Sequence, residues 1–102
     1  MSQQDFTVTR DELGVYHLEG QLCIYQLEKL KDFLDDLLKA HLEVNLSLED
    51  VTLVDAAALQ LLIAFRNASR ARIKVHILSI SAEIEKVLTI SGLGAAFLGQ
   101  AI

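Results

Sequence analysis

Asp55 is where binding chemistry is most to be expected in this chain. It follows the apolar pair Leu53-Val54 and precedes Ala56, Ala57 and Ala58, which lead into the helix-forming stretch LQLLIAFRNA. An aspartate in that place accepts hydrogen bonds from the unpaired amides of a helix start. Its charge also suits the positive end of the helix dipole, so it reads as the N-cap. A helix start flanked by loops at the end of a sheet can receive an anion or a docking chain.

The other chemically capable residues are scattered. His17, His41 and His76 lack the i, i+4 pairing or the neighbouring cysteines of a metal site, so no metal and no other cofactor is expected. Ser91-Gly92-Leu93-Gly94 fits a helix stop better than a nucleophile elbow. Nothing resembles a phosphate-binding glycine loop. Cys23 is either a reactive thiol or a small, partly buried side chain. Glu28, Asp32, Asp35 and Asp36 read as a solvated helix face. Without a constellation of acid, base and nucleophile, the chain is expected to have no catalytic residues and not to be an enzyme.

The elements that must position Asp55 follow from periodicity. Phe6 and Val8 alternate with Thr7 and Thr9, and Tyr16 and Leu18 with His17 and Glu19, giving two short strands joined by a tight turn. Leu27, Leu30, Leu34, Leu37 and Leu38 fall at helical spacing and predict an amphipathic helix from Leu27 to His41. Val44, Leu46 and Leu48 predict a third strand ending near Val51 or Val54. A helix from about Ala56 to Ser69 follows, apolar most of the way round through Leu59, Leu61, Leu62, Ile63 and Phe65, and so the most buried of the fold. Lys74 to Leu78 is a fourth strand. Ser81 caps a last helix, with Ile84, Val87 and Leu88 facing inward and Gly92 ending it in the left-handed conformation. The tail from Gly94 to Ile102 is expected to hold a short turn of helix around Phe97 and a final edge strand.

Strands separated by helices imply parallel pairing with right-handed crossovers, hence an α/β domain. Asn45, Ser47, Lys74 and His76 interrupt the continuous apolar runs of a sheet covered on both faces. One sheet face should therefore be wetter. Strands side by side in chain order would produce this, because every crossover then lays its helix on the same face.

Composition sets the outer limits. The 102 residues suit one domain, and more than half of them are apolar, which excludes disorder. The opening MSQQDFTVTR lacks the basic and apolar parts of a signal peptide, and Cys23 has no partner for a disulfide, so a cytoplasmic protein is expected. The longest apolar run, Ala56 to Phe65, is about half the roughly 20 residues of a bilayer crossing, so no membrane insertion is expected. The net charge of −5 argues against nucleic acid. It is uneven: residues 1–55 carry 12 acids and 4 bases (−8), residues 56–102 carry 2 acids and 5 bases (+3). Arg66, Arg70, Arg72 and Lys74 supply most of the latter, either complementing the end of the central helix or forming a patch for an acidic partner.

LVDAAALQLLIAFRNA, residues 53–68, resembles the signature of STAS domains, in which an apolar strand end and an aspartate precede Ser or Thr, a small residue, Gly and Leu. LEGQLCIYQLEKL, residues 18–30, is similar to the family's strand, turn and first helix, and VHILSISAEIEKVLTISGLGAAF, residues 75–97, to its closing strand and helix. The resemblance covers nearly the whole chain and implies a single STAS-like domain over residues 1–102. The implied fold, like that of anti-sigma factor antagonists, is a four- to five-stranded mixed sheet with helices mainly on one face. Ile24-Tyr25 and the run Asp55, Leu59, Gln60, Leu61, Leu62 look most like stand-alone STAS proteins of bacterial chemotaxis or two-component signalling.

What the resemblance implies is a regulator that binds a protein partner, either a kinase-like anti-sigma factor, a histidine kinase or a response regulator. The contact would be made through Asp55, Ala56, Ala57, Ala58 and Leu59 and the neighbouring loop Gln21, Leu22, Cys23, Ile24 and Tyr25. The alternative it implies is an accessory subunit of a lipid-transport ATPase, and the wetter sheet face leaves room for a homodimer. Three residues depart from the family pattern. The phospho-acceptor position is Ala56, the usual glycine is Ala58, and the acidic or Thr position of the first loop is Cys23. Ala56 has no hydroxyl to phosphorylate, which leaves a module fixed in its binding-competent state. The three alanines are also the best helix formers and keep the surface shallow.

Overall fold

The computed structural model describes residues 5–40, 43–69 and 73–98. Its elements run β1 (Phe6–Arg10), β2 (Tyr16–Leu22), a 3-10 turn (Ile24–Gln26), α1 (Leu27–Ala40), β3 (Glu43–Val54), α2 (Ala56–Ser69), β4 (Lys74–Ile80), α3 (Ala82–Ser91) and α4 (Gly94–Leu98). The strands lie in chain order, with β1 antiparallel to β2 and β2, β3 and β4 parallel. This is the expected mixed α/β sheet. The expected edge strand in the tail and His41 lie outside the described residues, as do Arg70 and Arg72.

The chain-order arrangement governs where the core sits. α1 packs against α2, α3 against β3 and α2, and α4 against α2 and α3, so the helices cover one face together. Between them and the sheet lie Leu18, Leu22, Val44, Leu46, Leu48, Val51 and Val54 from the strands. Leu30, Leu34, Leu37, Leu59, Leu62, Phe65, Ile84, Leu88 and Phe97 meet them from the helices. α2 has neighbours on both flanks, which is why it can be apolar nearly all round. On the other face Thr7, Thr9, Glu19, Asp50, Thr52 and His76 are exposed. Ser47 is the exception there: it is buried, its hydroxyl 2.9 Å from that of Ser79, which in turn donates to Glu49.

β3 is longer than its first alternation suggests because its phase slips. Ser47 pairs with His17 but Asp50 with Glu19, and Val51 pairs with Gly20 but Leu53 with Gln21. Each step puts one extra residue on β3, a bulge. The inward positions therefore run 44, 46, 48, then 51, then 54. Beside the bulged stretch Gly20 has φ +110°, and a Cβ there would lie 2.5 Å from the carbonyl oxygen of Asp5, which accepts from the Gln21 amide. Only glycine fits both constraints.

The β1–β2 turn is held by one carboxylate. Asp11 Oδ1 accepts from the amides of Leu13 and Val15 at 2.8 and 3.0 Å, and Oδ2 lies 2.8 Å from His17 Nε2. Gly14 takes φ +87° within this turn. At the other end of the chain Ser81 Oγ accepts from the Ile84 amide, and Gly92 at φ +76° closes α3 by donating to the Leu88 carbonyl.

Two outcomes follow from this frame. Gly20→Ala should lower the unfolding free energy by about 1–3 kcal/mol, the scale of one strained backbone position, as read by urea denaturation. The hydrogen bond that protonated His17 donates to Asp11 holds the His17 pKa above its ordinary value and is the chief cause that holds that of Asp11 below its own. His17 thus stabilises the folded chain fully below the ordinary histidine pKa, and this is lost as pH rises through its raised folded value. Asp11 contributes above the ordinary aspartate pKa and loses its share as pH falls through its lowered one. Thermal unfolding across pH should show a decline above the histidine range that His17→Gln abolishes.

Candidate functional site

Leu22 and Val54 are register partners at the end of β2 and β3, so the segments that leave those strands start side by side. Asp55 ties them together. Its carbonyl accepts from the Leu59 amide, and its Oδ1 accepts from the Ala58 amide at 3.1 Å, the N-cap bond. Its Oδ2 accepts from the Ile24 amide at 2.8 Å, and its own amide donates to the Leu22 carbonyl at 3.2 Å. One aspartate therefore caps α2 and pins the loop that begins α1.

The loop is closed on itself as well. The Cys23 amide donates to Gln26 Oε1 at 3.0 Å, and the Gln26 amide donates to the Cys23 carbonyl at 2.9 Å. Gln26 is buried beneath this turn and carries no weight in a reading by hydropathy. Its signal is positional: a Gln three residues after the loop's first residue is the far half of a capping box.

This geometry sorts the ten candidate residues. Tyr25 is 86% exposed and Ile24 58%. Ala56, Ala57, Asp55, Gln21 and Cys23 are half-buried. Leu22, Ala58 and Leu59 are fully buried. Those three were expected at the contact surface, and that expectation is corrected: their side chains belong to the core, and they support the site from beneath. Leu53, 45% exposed, joins it instead, since the second bulge turns it outward beside Gln21. Gln21 Oε1 is buried and has no hydrogen-bond partner among the described residues.

The chemistry available here is contact, with little room for reaction. Burial, and secondarily the charge of Asp55, pushes the Cys23 thiol up, away from a reactive thiolate. The α2 start already holds a carboxylate, so a second anion would meet its charge. Elsewhere His17 pairs with Asp11 and His76 with Glu43 at 2.7 Å, on separate strands. Among the described residues no cluster of His, Cys, Asp and Glu could hold a metal ion, and no helix is long and apolar enough to cross a membrane. Ser91-Gly92-Leu93-Gly94 forms a helix stop. Of the basic group, Arg66 donates to the Ala96 carbonyl and so ties α4 to α2, and Lys74 is exposed on β4.

A capped helix start beside a pinned loop, on a chain-order mixed sheet with one covered face, is the architecture of a STAS domain. Residues 7–100 match the model of the STAS domain, and the chain belongs to that family. Two solved structures share its fold. An anti-sigma factor antagonist from Mycobacterium paratuberculosis superposes with a TM-score of 0.71 at 13% identity, over 90% of this chain and 80% of that one. The anti-sigma factor antagonist SpoIIAA in its unphosphorylated form gives 0.63 at 18% identity, over 87% and 82%. No curated protein matches the sequence.

Asp55→Ala removes the cap and the pin together. It should lower stability by about 1–2 kcal/mol in urea unfolding. It should also raise amide hydrogen exchange at Ile24 and Tyr25, which Ser81→Ala, a cap lost at the distant α3, would leave unchanged.

Proposed function

We propose that this chain is a non-enzymatic, cytoplasmic regulator of bacterial signalling that grips a protein partner with the start of α2 and the Ile24–Tyr25 loop. The observation that carries this reading is the double use of the Asp55 carboxylate. It ties the loop that carries exposed Ile24 and Tyr25 to the helix start that carries the small side chains of Ala56 and Ala57, a knob beside a shallow floor that a partner backbone can approach. The partner is a kinase-like anti-sigma factor, a histidine kinase or a response regulator. With alanine at position 56 the domain cannot take a phosphate there, and its docking surface stays permanently competent. A phosphate would have set up to about two further negative charges beside Asp55.

The test is affinity capture from the native cell with wild-type and variant baits, read by mass spectrometry. Ala57→Lys should lose the partner by about tenfold or more while thermal unfolding stays the same, since Ala57 is only half-buried. Ala56→Glu, which adds charge where the hydroxyl is missing, should weaken capture too. Ala58→Lys should instead unfold the chain, because a charge would enter the core. Undiminished capture by Ala57→Lys would move the interface elsewhere. A transport ATPase among the captured proteins would replace a signalling role with an accessory-subunit role. Incubation with the captured kinase should leave the chain's mass unchanged, and stoichiometric phosphate on any hydroxyl would overturn the unregulated reading.

A further inference from the structure

Tyr25 also stands at the head of a charged stripe. The 3-10 turn Ile24–Gln26 runs directly into α1 at Leu27. Tyr25, Glu28, Asp32 and Asp36 follow at spacings of three, four and four along this continuous helical path. Such spacings place side chains on one stripe, and all four are exposed.

Of the three lysines on α1, two are engaged with other groups, and exposed Lys39 lies one turn beyond Asp36 at the far end of the stripe. Lys29 Nζ donates to the Phe6 carbonyl at 2.6 Å, lies 3.1 Å from Asp5 and sits over the Phe6 ring. Lys31 pairs with Asp35 at 2.9 Å. Glu28, Asp32 and Asp36 have no ion pair among the described residues. Acids one turn apart repel, and only Glu28 gains from lying in the first turn of the helix. Lys31, which acts on Asp32, and Lys39 offset this repulsion only in part. The stripe also repels nucleic acid and anionic lipid headgroups, while its field attracts a cationic partner.

We infer that the segment covering Tyr25 is a basic helix of the partner protein. An apolar side chain of that helix packs on Ile24 and Tyr25, and lysines or arginines one turn apart lie along Glu28, Asp32 and Asp36. This rests on the docking role proposed for the Ile24–Tyr25 loop and adds the partner's charge and the line along which its helix lies.

The probes are two synthetic helical peptides with the same apolar positions, one carrying lysine and arginine at i, i+4 and i+8, the other glutamate. Each is titrated into the full chain and followed by amide chemical shifts. The basic peptide should perturb Tyr25, Glu28, Asp32 and Asp36, and the acidic one should not bind. Raising salt from about 0.05 to about 0.5 M should weaken the basic peptide markedly. The double substitution Asp32→Asn with Asp36→Asn should weaken it about five- to tenfold with thermal stability unchanged or raised, whereas a merely structural role would lower stability. Equal binding of the two peptides, or full affinity in the double variant, overturns the inference. If Tyr25→Ser then still abolishes binding, the docking role stands without the stripe. If Tyr25→Ser changes nothing and the perturbed amides lie away from Asp55, the docking role fails as well.

Discussion

The Asp55 carboxylate is shared between two chain segments, and the functional end of the domain depends on that sharing. A helix start needs an acceptor for its free amides, and a loop leaving a parallel strand needs acceptors for its own. Here one side chain supplies both, to Ala58 and to Ile24, while the Asp55 amide returns a bond to the Leu22 carbonyl. The arrangement is available only because β2 and β3 are parallel neighbours that end level with each other, at Leu22 and Val54. Parallel neighbours joined by right-handed crossovers lay their helices on the same face. The covered face and the adjacency of the two segments that share the carboxylate are therefore consequences of one topology.

The level ends themselves need the bulges. β2 contributes seven residues and β3 twelve, and β3 must lose phase twice for Leu53 and Val54 to meet Gln21 and Leu22. Gly20 lies at this point because its positive φ and the close approach of the Asp5 carbonyl leave no space for a side chain. A feature that looks like a packing detail of the sheet therefore sets which residues the site exposes, Leu53 among them.

Much of this was legible in the sequence, because local rules and global fold agree along most of the chain. The bounds Ala56 to Ser69, the Ser81 cap, the Gly92 stop and the hairpin rest on short-range chemistry, and each is present. The polar residues at strand positions agreed with a chain-order sheet, which is the order present. What escaped detection depends on long-range geometry. Periodicity reports a side chain's face only until a bulge intervenes, so the outward turn of Leu53 could not be seen. A helix apolar nearly all round has no phase of its own, so three consecutive alanines look alike. Only packing separates half-buried Ala56 and Ala57 from Ala58 in the core. Gln26 was invisible for the opposite reason: a polar residue reads as surface unless its partner, the Cys23 backbone, is known to be three residues away.

On the proposed reading, replacing the hydroxyl by Ala56 changes what can govern binding. A phosphate at a helix start changes affinity by adding charge to a surface that a partner must desolvate. Without an acceptor at that position, the chain has no second state to which a kinase could shift it there, and a ligand moves an equilibrium only by binding two states differently. Occupancy of the Asp55 surface then follows the concentration of the partner and the ionic strength around it. Regulation, where it exists, must lie in the partner or in the amount of this domain, because the Ile24 loop and the start of α2 are tied to each other through backbone bonds to one carboxylate.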